Sequence, residues 1–95
     1  MKQVYITELA ESDLAKIWEF IARDNIEAAD SHLNRLKQEC MKCAINPESG
    51  RLRPELAEGI RARRFGKFLI FYFATNQGIE VARVLHGARD LPRIF

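Results

Sequence analysis

The chain lacks the marks of export and of membrane insertion. No apolar run approaches the ~18 residues of a membrane span. The opening residues, MKQVYITELAES, hold acids and no apolar core of a signal peptide. Cysteine is scarce, with only Cys40 and Cys43, and without an export signal both are expected to stay reduced in a cytoplasm. Histidine is as scarce, with His32 and His86 alone, so a zinc site completed from C-x-x-C is not expected, nor is any cofactor. Repeats, Gly/Ser linkers and low-complexity runs are missing too. The 95 residues therefore read as one domain, 1–95. A hydrophobic content of 47% excludes disorder.

What the chain does carry is an uneven charge. The net value is only +2, yet residues 1–50 sum to −3 and residues 51–95 to +5. A basic second half suits an acidic partner, protein or nucleic acid, without choosing between them.

Residues 3–7 (QVYIT) alternate and are β-rich, which predicts a first strand. Thr7 is placed to cap a helix with Glu8 and Glu11 in its first turn, where the dipole favours acids. Leu14, Ile17, Trp18 and Ile21 then form one apolar stripe. After Asp24-Asn25 the stripe resumes as Ala29, Leu33, Leu36, Cys40 and Cys43, so the two helices form an antiparallel hairpin. Asn46-Pro47 and Gly50 end the second helix, and RLRPELAEG (51–59) reads as a charged connection. Residues 60–65 predict a strand. FLIFYF (68–73) is apolar on both faces and predicts a central strand, and residues 79–85, after the turn Thr75–Gly78, predict the last. The expected class is α+β, ordered β-α-α-β-β-β, with the helical hairpin on one face of a small, mainly antiparallel sheet.

Cys40 and Cys43 fall in the last turns of the second helix. Redox pairs use a helix N-terminus instead, so these read as core. Trp18 belongs to the stripe, but so small a domain rarely buries a tryptophan completely, which leaves part of its ring to line a partner groove. On the strand 60–65, Arg61 and Arg63 point together and Arg64 opposite. These arginines, which Arg83 could extend, are either the charged guard of an edge strand or a basic face for phosphate or carboxylate groups. His86 lacks a second titrating partner. Arg83, His86 and Arg89 supply cations and one base but no clear acid for metal-free RNA cleavage.

Several strings occur in an order that resembles ParE toxins of the RelE/ParE superfamily: DLAKIWEFIARDN, NP-x-x-GR from Asn46 to Arg51, the IFY of Ile70–Tyr72, and RVLHGARD from Arg83 to Asp90. The likeness covers nearly the whole chain. It implies the toxin of a bacterial type II toxin–antitoxin pair, of the kind associated with plasmid stabilisation and growth arrest, which blocks DNA gyrase without being an enzyme. It also implies a ParD-like antitoxin wrapped around the toxin. The antitoxin contacts expected here are Trp18, Ile21, Leu33, Arg61, Arg63 and Arg83, and the target contacts Arg64, His86 and Arg89. Direct nucleic-acid binding is not expected outside the complex. RelE-like members of the superfamily cut mRNA on the ribosome instead, and on that alternative Arg61, Arg83 and His86 would be catalytic. A small non-toxic binding module is the third possibility. After Gly87 the sequence runs ARDLPRIF, without a second histidine or a terminal tyrosine, which favours the non-enzyme.

Overall fold

The computed structural model describes residues 2–88. In chain order these form β1 (Gln3–Ile6), α1 (Glu8–Ala22), α2 (Ile26–Ile45), a 3-10 turn (Pro47–Ser49), β2 (Arg51–Leu52), β3 (Arg61–Phe65), β4 (Phe68–Ala74) and β5 (Gly78–His86). Both helix starts are set by local chemistry. The Thr7 hydroxyl accepts from the Ala10 N–H at 3.2 Å, and Asn25 Oδ1 accepts from the Ala28 N–H at 3.0 Å. Each satisfies a donor that a helix start leaves unpaired. Thr7 also donates to the Ala82 carbonyl at 3.1 Å, tying the start of α1 to β5.

The sheet runs β1-β5-β4-β3-β2, with β1 parallel to β5 and every other pair antiparallel. The predicted meander is present, and β4 is its central strand. One element was not legible. The connection read as charged loop contains β2, paired to β3 through Arg51↔Ala62 and Leu52↔Arg61. Two residues are too few for alternation to show.

Two apolar layers explain why FLIFYF carries no polar face. On the helix side Ile70, Tyr72, Ile79, Val81 and Val84 pack with Leu14, Ile17, Leu36, Cys40 and Cys43. On the other side Phe71 and Leu85 pack with Ile60 and Ala62, under Leu56 and Ala57 of the connection. Cys40 and Cys43 are free thiols within the first layer. Burial pushes the Cys40 thiol up to about 12, with Cys43 and Glu39 adding to it, and burial raises Cys43 as well. Protonated thiols in an apolar layer are core residues, as their spacing predicts.

Tyr72 adds a polar clamp to that layer. Its hydroxyl accepts from the Gly50 N–H at 2.8 Å and donates to the Pro47 carbonyl at 2.7 Å, holding the turn after α2 against the sheet.

The register of β4 with β5 slips once. Tyr72 faces Val81 and Phe71 faces Arg83, which leaves Ala82 as an extra residue. The resulting bulge exchanges the alternation, so Ile79 and Val81 face the helices before it and Val84 after it.

Candidate functional site

At the bulge, β5 turns Arg83 toward α1. Its Nε donates to Asp13 Oδ2 at 2.8 Å and its Nη2 to Asp13 Oδ1 at 2.9 Å, a two-pronged pair. The Val84 N–H donates to Asp13 Oδ2 at 3.0 Å. Asp13 is only 6% exposed and is the one buried charged residue among those described. Sequence reasoning passed over it as another acid of the first helix. The signal was its position, three residues after Ala10 and four before Ile17, on the inward face.

The other arginines expected to meet an antitoxin are also engaged internally. Arg61 Nη1 donates to the Gly50 carbonyl at 2.8 Å and reaches the Glu48 carbonyl at 3.4 Å. Arg63 pairs with Glu39 of α2 through Nε and Nη2, both at 2.8 Å, and donates to Ser49 Oγ at 2.7 Å. These contacts bind α2 and the turn after it to β3. Arg61, Arg83 and His86, the set an endoribonuclease reading requires, are not gathered into one site. The first is spent on Gly50 and the second on Asp13. His86 lies exposed beside Phe68, with ring centroids 5.7 Å apart, and its Nδ1 accepts from the Ala88 N–H at 3.1 Å. Arg64 is exposed and donates to the Gly66 carbonyl at 3.2 Å. Arg89 lies outside the described residues.

Two apolar grooves open on the helical side. Trp18 and Leu33 line one of about 390 Å³ along the hairpin, with Glu11, Glu19 and Lys37 among its charged lining. Trp18 is half-buried, and its indole N–H donates to Asp30 Oδ1 at 2.8 Å, fixing the ring. Ile21, expected beside it, packs partly buried against the core. The second groove, of about 340 Å³, runs between α1 and the ends of β4 and β5, with Ile17, Phe20, Phe68, Val84 and Leu85 as its apolar lining and Lys16 and His86 among its polar ones. Neither Arg61 nor Arg83 lines it. Phe20 is 72% exposed. A large aromatic off the apolar stripe of α1 was the sequence signal for this surface, and it went unread.

His32 of α2 sits against the β3–β4 hairpin, its ring 5.5 Å from those of both Phe65 and Phe68 and steeply inclined to each. Its Nε2 is the buried side-chain polar atom without a hydrogen-bond partner among the described residues. Burial, and then the nearby Arg35, lower its pKa below the ordinary 6.5. The folded state therefore binds this proton less readily than the unfolded chain. The contribution is complete above about 6.5 and is lost as pH falls from there through the lowered folded value. Urea midpoints taken from pH 8 to pH 5 should fall more for the wild type than for His32→Gln. Parallel curves would refute the assignment.

Against known proteins, the family model described as ParE toxin of type II toxin-antitoxin system, parDE, matches residues 4–91. No curated protein sequence matches the chain. Among solved structures, the fold is similar to a chain from the chromosomal ParDE TA system from P. aeruginosa, with a TM-score of 0.74 and 18% identity over 90% of this chain and 96% of that one.

Proposed function

The chain belongs to the ParE toxin family of type II toxin–antitoxin systems, and on that premise we propose that it inhibits DNA gyrase without catalysing a reaction and is neutralised by a ParD-like antitoxin. The observation that carries the non-enzymatic part is the internal use of Arg61 and Arg83. A cation serving phosphoryl chemistry must be free to meet the charge that develops on phosphate. Here one guanidinium is committed to the Gly50 carbonyl and the other to a buried carboxylate. What supports an antitoxin is the pair of apolar grooves on the helical side, beside Trp18 and Phe20. An amphipathic segment laid along them would bury aromatic surface of the kind that anchors protein interfaces. Arg83, through Asp13 of α1, and Arg63, through Glu39 of α2, then act on the antitoxin mainly by holding the helices in place, and Arg61 by holding the turn after α2.

The test pairs two assays on the purified protein. It should block supercoiling by gyrase and trap cleaved DNA, while mRNA in programmed ribosomes stays intact. Unaffected supercoiling together with mRNA cleavage abolished by Arg83→Ala would overturn the proposal in favour of the endoribonuclease. Unaffected supercoiling with intact mRNA would overturn it in favour of a binding module.

A further inference from the structure

A polar groove opens along β2 and β3 and reaches the sheet face turned away from the helices, and the proposed function assigns it no ligand. Arg51 pairs across to Ala62 and Arg64 to Leu69, and cross-strand partners share a face. Ala62 and Leu69 belong to the apolar layer opposite the helices, so both arginines stand on that side. With Arg53 and Arg63 they line a groove of about 840 Å³ that contains one acid, Glu55. It is more than twice the size of either apolar groove. Two of its cations are already matched, Arg53 by Glu55 at 2.6 Å and Arg63 by Glu39. Arg51 and Arg64 are exposed and form no ion pair among the described residues.

Against the expectation that the free protein does not bind nucleic acid, we infer that this groove binds the phosphate backbone of duplex nucleic acid. Every cation in it is an arginine, whose planar fork matches phosphate oxygens in pairs. The lining holds no aromatic side chain. Single-strand binders depend on such rings for base stacking, so a duplex, met through its backbone, is the better fit. An acidic peptide would also satisfy the charge, but tight peptide binding needs an apolar anchor pocket. Here the apolar lining is Ala62, Leu69, Pro54 and the edge residue Leu52, while the apolar grooves lie on the opposite side. Backbone contact requires only spaced cations, and it is indifferent to sequence.

Fluorescence anisotropy of the toxin alone, with a labelled DNA duplex, the matching single strand and poly-glutamate as competitor, tests this. Gyrase is absent from the assay, so its outcome is separate from that of the gyrase reading. The duplex should bind at low salt, more tightly than the single strand, with log K falling linearly against log salt. Arg51→Glu/Arg64→Glu should lower affinity at least about tenfold and flatten the salt slope by about two. Lys2→Glu/Arg23→Glu makes the same change of charge away from the groove. Compared at about 0.15 M salt, where the Debye length is about 8 Å and distant exposed charges are screened, it should stay within about twofold of wild type. Both arginines are exposed, and an unchanged melting temperature confirms that the variant folds. An absence of duplex binding at low salt would overturn the inference. So would equal losses in the two variants, tighter binding of the single strand, or displacement by poly-glutamate at matched charge, which would point to an acidic protein.

Discussion

Asp13→Ala should cost about 3–5 kcal/mol of folding stability, the scale expected when one member of a buried ion pair is removed. The loss has three parts that act together. Arg83 keeps its charge within a mostly buried side chain and has no acceptor left. The Val84 N–H, itself buried, loses its partner. The bulge at Ala82 keeps only the Thr7 hydroxyl to tie it to the start of α1. For a domain of this size the melting temperature should fall by at least about 12 °C. Arg83→Met combined with Asp13→Ala should recover part of the loss, because no unpaired charge remains. The pair thus serves the geometry of α1 on β5 more than net stability. A cost below about 1 kcal/mol for Asp13→Ala, or no recovery in the double variant, would show that water or another acid replaces the carboxylate.

Gly78→Ala should be the second most damaging change, at about 2–4 kcal/mol from overpacking and backbone strain together. Gly78 opens β5 directly opposite Gln3 of β1, with φ at 153°. A Cβ there would collide with the Gln3 carbonyl oxygen and stand 2.7 Å from its nitrogen. Neither is the end of a movable side chain, so β1 itself must shift. The bonds at risk are local to that edge: Gln3 N–H to the Gln77 carbonyl at 2.7 Å and Thr7 N–H to the Val81 carbonyl at 3.1 Å. Hydrogen exchange should locate the damage, with amides of residues 3–7 losing protection while those of β3 and β4 keep theirs. A variant within about 1 kcal/mol of wild type would mean that β1 accommodates the methyl group by a small slide.

What could be read in the sequence was what repeats locally. The Thr7 cap, both helical seams and the two-faced apolar run of β4 are written within a few residues of one another, and all of them formed. The buried C-x-x-C was legible for the same reason, since Cys40 and Cys43 continue the spacing of Leu33 and Leu36. The missed features depend on partners far along the chain. Asp13 and Arg83 are 70 positions apart, and Arg63 meets Glu39 across 24. No periodicity announces which arginine will be spent on which acceptor. The groove beside Phe20 was missed because its walls come from α1, β4 and β5 together. The edge strand β2 was missed because two residues carry no pattern.

The position of β5 sets the order in which the molecule can be completed. Among the described residues, the last strand lies between the first strand and the rest of the sheet. During synthesis the helical hairpin can form from its own neighbours, and β3 and β4 can pair as soon as they emerge. Residues 3–6, although earliest, wait about 70 positions for Gly78–His86 before they have anything to pair with. Such long-range pairing is entropically slow, and it leaves an apolar strand unpaired until the end. The groove beside Phe20, walled by β4 and β5 as well as α1, is finished only then, whereas the groove beside Trp18 is lined by the two helices alone. The two grooves are therefore completed at different times, the one beside Trp18 with the hairpin and the one beside Phe20 only after Gly78–His86 has been made.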